Sequence, residues 1–440
     1  MLSLGSVEFW VAYVLPVFFV VGGYLLVQRR RERHNADILH DSVAAGLTQP
    51  ASLHPIINQS LCIGCNACVE ACPEHDVLGL INRKAHLIEP TACIGHGACQ
   101  MACPMGAIDL VFGTAERGID LPLVKPNFET NVPGVFIAGE LGGMGLIRNA
   151  IQQGCQAVDA VVAYGQLAET GEVGVLDLVI VGAGPAGFAA SLAAKAAGLN
   201  FVTVEQECLG GTVAHYPRGK IVMTVPVKLP LVGEMYFQET VKEELVAFFQ
   251  SAEKQVGLPI EYGQRVAKVQ QRDRGFVIST SEKTYQAKAV LLAIGRRGTP
   301  RKLDIPGDEQ SKVVYRLVDP EQYKNQAVAV VGGGDSALEA ATALSADPST
   351  KVTLAYRGDA FGRAKAKNRE AVLAAGEAGK IDIRLLTEIR KIGPDCVEIG
   401  QGGAAELIPN DTVIVCAGGV LPTEFLRSVG IQIETKYGTA

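Results

Sequence analysis

Seven of the eleven cysteines in this 440-residue chain lie between Cys62 and Cys103. The first four follow the pattern Cys62-x2-Cys65-x2-Cys68-x3-Cys72-Pro73. Such clustering in a long chain indicates metal ligation rather than a disulfide framework. Zinc sites rarely use three cysteines at this spacing, whereas a tight loop that carries three thiolates can hold one iron–sulfur cubane. The sequence therefore predicts an iron–sulfur centre, whose free thiolates require a reducing compartment.

A second run of the same spacing follows, with one substitution. It has the pattern Cys93-x2-His96-x2-Cys99-x3-Cys103-Pro104, so that His96 stands where the first run has its second cysteine. Three outcomes are open: ligation of iron through an imidazole nitrogen, a [3Fe–4S] cluster without a fourth ligand, or a histidine that is a bystander in a glycine-rich turn. We expect ligation, because the spacing is that of a ligand and the three cysteine partners are intact.

The segment resembles the two-cluster bacterial ferredoxins, in which the fourth cysteine of a run ligates the other cluster. This resemblance implies that one [4Fe–4S] cluster is held by Cys62, Cys65, Cys68 and Cys103. The second cluster then has Cys72, Cys93 and Cys99, with His96 as the candidate fourth ligand. The scattered thiols are predicted to be free and buried. They are Cys155, Cys208, Cys396 and Cys416.

A glycine-rich turn follows the apolar strand predicted over Leu176–Val181. Its pattern is Gly182-x-Gly184-x-x-Gly187, and it opens an alanine-rich helix. Glu205 ends the next predicted strand, 23 residues after Gly182. Strand, glycines, helix and acid in this register indicate a dinucleotide site. The glycines let the backbone approach a pyrophosphate at the helix N-terminus, and Glu205 is expected to bind ribose hydroxyls.

A second unit of this kind begins at Ala327. Here Gly332-x-Gly334-x-x-Ala337 follows the strand, and the next strand ends in Tyr356-Arg357 rather than in an acid. An arginine at this place can accept a 2′-phosphate, so NADPH is favoured over NADH, with Arg363 and Lys365 as assisting cations. The alternative is that these cations form a solvated face. Two dinucleotide sites in one chain predict FAD together with NADP or NAD.

Three stretches resemble thioredoxin-reductase-like flavoproteins, in particular the branch of bacillithiol-disulfide-reductase-like and ferredoxin–NADP reductase-like enzymes. They are residues 181–187, 331–339 and 135–140. The resemblance implies that Gly139, Glu140 and the helix from Leu146 close over the flavin. It also implies that Gly211 and Thr212 belong to a loop near the flavin ring. Thioredoxin reductases carry a Cys-x-x-Cys before the second glycine motif, but residues 315–323 contain no cysteine, so dithiol exchange is not expected.

The order of these stretches departs from the family. There the flavin-closing stretch comes last, whereas here residues 123–165 precede the first glycine motif. The chain ends shortly after residues 430–438, where family members would continue into that stretch. We infer a circular permutation joined through residues 166–174, since such joins are tolerated where termini are close and exposed.

The N-terminal segment is apolar from Phe9 to Val27, a run of 19 residues that matches a bilayer core of ~30 Å. Arginines 29–31 follow at once, and positive charge after a span places the C-terminal side in the cytoplasm. A cleaved signal peptide is the alternative, but its charges would precede the apolar run. The prediction is a single-pass protein of the inner (cytoplasmic) membrane, with its catalytic domains in the cytoplasm.

These elements predict an α/β fold: two Rossmann-like dinucleotide-binding domains of thioredoxin reductase type, a small α+β two-cluster ferredoxin domain and one transmembrane helix. The predicted segments are a membrane anchor (1–30), a juxtamembrane linker (31–54), the ferredoxin domain (55–113), the permuted piece of the FAD domain (114–169), the FAD domain (170–298), the NAD(P) domain (299–420) and a return to the FAD domain (421–440). The net charge of −6 argues against a nucleic-acid partner.

Hydride moves as two electrons, whereas iron–sulfur clusters pass one at a time, and a flavin can do both. We therefore expect an FAD-dependent NAD(P)H oxidoreductase that transfers electrons between NAD(P)H, FAD and the clusters, to or from a membrane redox protein or a soluble electron carrier. One alternative is a bacillithiol-type disulfide reductase, for which Cys208 is the thiol nearest the expected flavin edge. Another is a redox-sensing scaffold. A homodimer is compatible with all three.

Overall fold

The computed structural model describes residues 15–50, 53–74, 76–143, 145–164, 174–219, 221–223, 226–237, 239–296, 298–362 and 364–438. Within these residues the chain divides into two compact units. The first extends to Glu116 and includes Gly438, and the second extends from Arg117 to Tyr437.

The first unit carries both cysteine runs. Its elements are helices α1 (Leu15–Ala44), α2 (Ala67–Ala71) and α3 (Ala98–Met101) and strands β1 (His54–Ile57), β2 (Leu78–Ile81), β3 (Lys84–Leu87) and β4 (Ile108–Val111). Strand β1 pairs antiparallel with β4, and β2 pairs antiparallel with β3. The buried side chains of Val77, Leu78 and Ile108 pack with Cys68 and Cys99, so the core of this unit is built around its thiols.

Helix α1 continues through residues 31–44, which the sequence suggested to be a linker. Neither Gly nor Pro occurs in that stretch, and its Arg, Glu, Leu and Ala residues favour helix. The amide of Asn35 donates a hydrogen bond to the carbonyl oxygen of Leu80 in β2 (3.0 Å). Residues 31–44 therefore belong to a helix that contacts β2, and the assignment of residues 31–54 as a juxtamembrane linker stays a prediction.

The predicted membrane span falls partly outside the described residues, since these begin at residue 15. Among the helices that the structure does describe, none has an apolar stretch long enough to cross a membrane.

The second unit contains the remaining elements. Its helices are α4 (Ile147–Val162), α5 (Pro185–Ala196), α6 (Lys242–Val256), α7 (Asp335–Leu344), α8 (Ala366–Glu377) and α9 (Thr423–Val429). Its strands are β5 (Ile119–Pro122), β6 (Val135–Ile137), β7 (Leu176–Val181), β8 (Phe201–Val204), β9 (Ile221–Met223), β10 (Val227–Leu229), β11 (Gly233–Met235), β12 (Glu239–Val241), β13 (Ile260–Glu261), β14 (Val266–Arg272), β15 (Gly275–Thr280), β16 (Thr284–Leu292), β17 (Thr299–Pro300), β18 (Val313–Val314), β19 (Ala327–Val331), β20 (Lys351–Ala355), β21 (Ile381–Arg384), β22 (Glu388–Ile392), β23 (Cys396–Gln401), β24 (Ala404–Pro409), β25 (Thr412–Val415), β26 (Gly419–Val420) and β27 (Ile433–Lys436).

One sheet of the second unit has the order β13-β8-β7-β16-β15-β14, with β6 also paired to β16. Strands β13, β8, β7, β16 and β6 are parallel. Both faces of β7 are covered: Leu178 and Ile180 enter a core with Phe188 of α5, while Val179 and Val181 enter the core on the opposite face. This two-sided burial explains the continuous apolar run of β7, because alternate side chains of a strand point to opposite faces.

A second parallel sheet has the order β18-β25-β19-β20-β21 and is accompanied by the antiparallel strands β22, β23 and β24. The strands predicted at Leu176–Val181 and Ala327–Val331 agree with β7 and β19. Parallel neighbours need crossover connections, and helices α5 and α7 provide them after the two glycine turns.

The two ends of the second unit lie side by side. Strand β27 pairs antiparallel with β5, with Lys436 opposite Ile119. A Cβ on Gly118 would overlap the side chain of Thr435, so a glycine is needed at this contact. The chain thus leaves this unit next to the point where it enters.

Candidate functional site

Four thiols line one cavity of the first unit. They are Cys62, Cys65, Cys68 and Cys103, the first ligand set implied by the sequence. The N–H of Ala85 donates a hydrogen bond to the Sγ of Cys62 (3.4 Å). The N–H of Ala107 donates to the Sγ of Cys103 (3.3 Å). Hydrogen bonds to ligand sulfurs are among the features that set the reduction potential of a cluster.

The other three thiols of the two runs form a second group. Cys93 and Cys99 are buried and Cys72 is half-buried. Burial raises the pKa of Cys99 to about 11, and the negative charges of Cys93 and Cys72 add to this increase. Such thiols are protonated near neutral pH, so a metal that binds them must displace protons. His96 is half-buried in the loop between Cys93 and Cys99.

Within the part of the chain that the structure describes, no three His, Cys, Asp or Glu side chains meet closely enough to hold a single metal ion. A cubane has a different requirement, because each of its irons takes one thiolate and the ligands surround the cluster. The cavity between Cys62, Cys65, Cys68 and Cys103 has this form. These residues therefore fit a [4Fe–4S] cluster.

The first glycine motif forms the turn between β7 and α5. Gly182 has a φ of +100°, and a Cβ on it would lie 2.7 Å from the carbonyl oxygen of Ala293. A Cβ on Gly187 would overlap the carbonyl oxygen of Gly182, so the helix can approach the strand only where this side chain is absent. A Cβ on Gly184 would meet no atom of the described chain within 4 Å. The N-terminus of α5 is therefore accessible to a pyrophosphate, as the motif predicts.

Glu205 follows β8 directly, and its side chain is buried. Its Oε2 accepts a hydrogen bond from the N–H of Ala183 inside the glycine turn (2.7 Å). Its Oε1 accepts one from the N–H of Glu207 (2.9 Å). An ionised carboxylate has about four acceptor positions, so these bonds leave capacity for ribose hydroxyls. Glu205 thereby connects the end of β8 to the glycine turn.

Two other predicted segments border the same turn. A Cβ on Gly211 would lie 3.1 Å from the Cα of Gly184, and Thr212 follows it in a 3-10 turn. A Cβ on Gly139, whose φ is +83°, would lie 2.9 Å from the Cβ of Ala186 in α5. The flavin-closing stretch and the Gly210–Thr212 loop therefore both reach the N-terminus of α5.

Sequence reasoning missed the residues that hold the flavin-closing stretch in place. The Oε1 of Gln153 in α4 accepts a hydrogen bond from the N–H of Gly139 (2.8 Å). A Cβ on Gly154 would overlap the carbonyl oxygen of Ala186, so this glycine lets α4 pack directly on α5. The available signal was a glycine in the middle of an amphipathic helix, which usually marks a close packing contact.

Arg296 is a second residue that the sequence did not indicate. Its guanidinium is half-buried and donates to the carbonyl oxygen of Asp120 (3.2 Å). Burial lowers the pKa of Arg296, while the neighbouring carboxylates of Glu140 and Asp120 counteract that shift. The predicted flavin ligand Glu140 therefore has a cation close to it.

The second glycine motif repeats the turn between β19 and α7. Gly332 has a φ of +142°, and a Cβ on it would lie 2.5 Å from the carbonyl oxygen of Cys416. A Cβ on Gly334 would meet no described atom within 4 Å, which again leaves the helix N-terminus accessible. Ala337, at the place of the third glycine, is fully buried. These residues fit a second dinucleotide.

Three cations were expected near this second turn. Arg357 is exposed two residues after the end of β20. The N–H of Lys365 donates to Asp335 in the first turn of α7 (2.8 Å), so this residue lies next to the helix N-terminus. Arg363 lies outside the described residues.

Residues 315–323, which contain no Cys-x-x-Cys, contribute Arg316 to an ionic cluster. The guanidinium of Arg316 makes two hydrogen bonds to the carboxylate of Glu207, at 3.2 and 3.3 Å. The Nε2 of His215 lies 2.5 Å from the same carboxylate. Desolvation and the positive charge of Arg316 lower the pKa of His215, whereas Glu207 opposes this. Sequence reasoning missed this cluster because Arg316 is 109 positions from Glu207 in the chain.

The four scattered cysteines are free, as predicted. Cys155, Cys396 and Cys416 are half-buried, whereas Cys208 is exposed, so the prediction of burial is wrong for Cys208. Partial desolvation and then the carboxylates of Glu205 and Glu207 raise the pKa of the Cys208 thiol. A raised pKa leaves little thiolate at neutral pH, and the thiolate is the nucleophile.

The family model described as pyridine nucleotide-disulphide oxidoreductase matches residues 179–439, more than half of the chain. The chain belongs to the pyridine nucleotide-disulphide oxidoreductase family. A further model, described as a 4Fe-4S dicluster domain, matches residues 54–104. The predictions of an FAD- and NAD(P)-dependent oxidoreductase, of an α/β fold of thioredoxin reductase type and of an iron–sulfur domain are thereby confirmed.

Named members of the family agree with this assignment. The ferredoxin–NADP reductase of Ignicoccus hospitalis is 29% identical over 265 residues, which cover 59% of this chain and 83% of that protein. The bacilliredoxin reductase Bdr of Bacillus subtilis is 26% identical over 271 residues, covering 59% of this chain and 82% of that protein. The solved structure of bacillithiol disulfide reductase Bdr (YpdA) from Staphylococcus aureus is similar with a TM-score of 0.52 at 25% identity, covering 59% of this chain and 81% of that one.

Proposed function

We propose that this family member is a membrane-anchored electron-transfer flavoprotein that passes electrons between NAD(P)H, FAD and two iron–sulfur clusters, to or from a membrane redox partner. The cavity lined by thiols of both cysteine runs carries the proposal, because a two-cluster ferredoxin shares its ligands in this crossed way. The same chain has two glycine turns with accessible helix N-termini. A flavin takes up hydride from a nicotinamide and releases electrons singly, which suits it to connect the two kinds of cofactor.

The names of relatives bear on the electron partner. One relative is a ferredoxin–NADP reductase. Another is a 34.2 kDa protein in the rubredoxin operon of Clostridium pasteurianum; it is 33% identical over 180 residues, which cover 39% of this chain and 52% of that protein. Ferredoxin is a separate protein from the reductase named after it. In this chain a ferredoxin-type domain is part of the same polypeptide. We propose that this domain replaces the separate carrier and passes electrons onward to a membrane redox protein or to a soluble carrier.

The proposed circular permutation has support in the second unit. Strand β27 and strand β5 form an antiparallel pair whose residues Lys436 and Ile119 are opposite each other. A short turn from β27 to β5 would restore the family order, in which the flavin-closing stretch comes last. Strand β6 and helix α4, which belong to that stretch, pack against β16 and α5 of the FAD domain. The proposed join lies mostly in residues 165–173, outside the described residues.

The membrane anchor is proposed from the surface of α1 together with the sequence. Apolar side chains between Val17 and Val27 are exposed in the isolated chain, including Phe18 at 75% and Val20 at 71%. An apolar surface of this kind marks a membrane or protein contact. Arginines 29–31 favour a cytoplasmic location for everything that follows. A reporter fused to the C-terminus should be active in the cytoplasm, and activity only in the periplasm would reverse this orientation.

The central test is anaerobic mixing of the purified holoprotein with NADPH, followed by the visible spectra of flavin and clusters. If electrons flow from NADPH, reduction of the flavin should be followed by reduction of the clusters. If electrons flow in the opposite direction, chemically reduced clusters should reduce NADP⁺. Cys103→Ser should retain flavin reduction and lose transfer to the first cluster. Cys396→Ser, outside both runs, is the matched control. Clusters that exchange no electrons with the flavin in either direction would refute the proposal.

The disulfide-reductase alternative is favoured by the relatives named Bdr and by the exposed Cys208. Against it, the pKa of Cys208 is raised, and the stretch around Arg316 contains no cysteine. We expect Cys208→Ser to reduce an artificial acceptor with NADPH at near wild-type rate. Loss of all turnover with flavin still bound would support the disulfide reductase. Rapid steady-state turnover would also exclude a sensing scaffold.

A further inference from the structure

The two cysteine loops have the same backbone conformation. The glycine two residues after the first cysteine of each run has a positive φ, +68° at Gly64 and +78° at Gly95. The residue before the short helix is also left-handed in both, with a φ of +69° at Asn66 and +76° at Gly97. Helices α2 and α3 begin at the next residue of each run. The two loops are therefore repeats in structure as well as in spacing.

This equivalence places His96 at the loop position that Cys65 holds in the first run. Cys65 lines the first cavity together with the other three thiols of its set. A side chain that leaves an equivalent backbone at the equivalent position is directed toward the equivalent site, which is the second thiol group. The side chain of His96 is half-buried.

The second thiol group offers three ligands and no fourth cysteine. Its members are Cys72, Cys93 and Cys99. Burial raises the pKa of each of these thiols, and the backbone N–H groups of Glu74, Gly95 and Gln100 respectively oppose that increase. Three thiolates satisfy three irons of a cubane, so the fourth iron needs a different side chain.

Two side chains compete for that iron. The carboxylate of Glu74 is near Cys72 and Cys93, since its charge contributes to raising the pKa of both, after burial. Glu74 follows the first run, however, and does not occupy a ligand position of either loop. Imidazole is a common ligand of iron and replaces cysteine in Rieske centres. Position and ligand chemistry together favour His96.

We propose that His96 is the fourth protein ligand of the second cluster, an inference that rests on the proposed two-cluster function. Exchange of a thiolate for a neutral imidazole removes one negative charge from the site. This stabilises the reduced cluster and raises its potential, as histidine does in Rieske centres. The second cluster is therefore easier to reduce than the all-cysteine first cluster, and the first electron to enter the domain resides on it.

The test uses anaerobically purified full-length protein in which the histidines carry ¹⁵N-labelled imidazole. Pulsed electron paramagnetic resonance of the reduced protein should show ¹⁵N coupling to one of the two clusters. The coupling should disappear in His96→Cys and His96→Ala and persist in the control His34→Ala, whose side chain is exposed on α1. His96→Cys should retain two cubanes and shift the higher of the two potentials downward, leaving the other unchanged.

The outcomes separate this inference from the function on which it rests. Two cubanes per chain without ¹⁵N coupling, or coupling that survives in His96→Ala, would overturn the ligand assignment alone. So would a stoichiometric [3Fe–4S] signal in fresh wild-type protein. Conversion of the second cluster in Glu74→Gln but not in His96→Ala would assign the carboxylate instead. Iron near zero in wild-type protein would refute the proposed function together with the ligand.

Discussion

The two glycine turns both connect a parallel strand to a helix with an accessible N-terminus, but they differ in residue type at two positions. In the first, the third position is Gly187, where any side chain would overlap the carbonyl oxygen of Gly182. In the second, Ala337 occupies that position and is buried without such overlap. The strand ends differ as well, since Glu205 is buried and bonded to the turn, while Arg357 is exposed. The first turn thus encloses an acid, and the second presents a cation to solvent.

This difference shows how one architecture can select two cofactors. A buried acceptor bonded to backbone N–H groups suits the ribose of a resident cofactor such as FAD. An exposed guanidinium suits a substrate that binds and leaves, because its charge can meet a 2′-phosphate at the surface.

The largest effect is expected from Gly187→Ala. Its Cβ would push α5 away from the strand, so the variant should lose FAD and about 1–3 kcal/mol or more of unfolding free energy. The matched change in the second turn, Ala337→Gly, should cost only about 0.5–1 kcal/mol through helix propensity. Denaturant unfolding and bound flavin per chain measure both effects. Equal losses in the two variants would show that the turns are packed alike.

The second test separates cofactor binding from folding. Gly184→Ala and Gly334→Ala add a Cβ that meets no described atom, so the unfolding free energy of the apoprotein should hardly change. Each added methyl group should obstruct its own pyrophosphate and weaken binding by about tenfold or more, or about 1.4 kcal/mol. Gly184→Ala should affect FAD, and Gly334→Ala should affect NADPH. A variant that instead unfolds would contradict the finding that a Cβ at Gly184 or Gly334 meets no described atom.

Glu205→Gln examines the buried acid of the first turn. The carboxylate oxygens of Glu205 accept hydrogen bonds from the N–H groups of Ala183 and Glu207. In the glutamine variant, an NH₂ group would face one of these two donors. An unsatisfied buried donor costs about 1–3 kcal/mol of unfolding free energy. The neutral amide is also a weaker acceptor for ribose hydroxyls than the carboxylate, and a loss of about 1–3 kcal/mol there would weaken FAD binding about 5–150-fold. Glu207→Gln, two residues away and paired with Arg316, is the control and should keep FAD. Unchanged FAD affinity in Glu205→Gln would remove Glu205 from the site.

The smallest effect is expected at the exposed end of the second turn. Arg357→Ala should raise KM for NADPH by about 5–30-fold, the equivalent of about 1–2 kcal/mol, and leave KM for NADH nearly unchanged. Lys351→Ala, at the opposite end of β20 and also exposed, should change neither. Equal increases for both nucleotides in Arg357→Ala would contradict the 2′-phosphate role and favour a solvated face.

Much of the local structure was predictable from the sequence. Strands β7 and β19 and the glycine turns after them combine apolar runs, glycines and helix-forming alanines within a few residues, so local physical chemistry decides them. Residues 31–44 were less predictable, because their polar composition is compatible with both a linker and a helix. The contact between Asn35 and Leu80 involves residues that are distant in the chain and is not visible in the local pattern.

The sequence by itself determined the chemistry of this protein: which thiols can bind iron, which turns can bind pyrophosphate, and that the stretch around Arg316 contains no cysteine. These are properties of residue type and short spacing. The grouping of Cys103 with Cys62 and the place of Gly139 at the flavin site were implied by family resemblance rather than by local pattern, and the structure shows Cys103 beside Cys62 and Gly139 beside α5. Only the tertiary structure paired β27 with β5 and brought Arg316 to Glu207. The reason is physical: these two contacts join residues from 109 to 317 positions apart in the chain, and their proximity depends on how the core packs rather than on any local propensity.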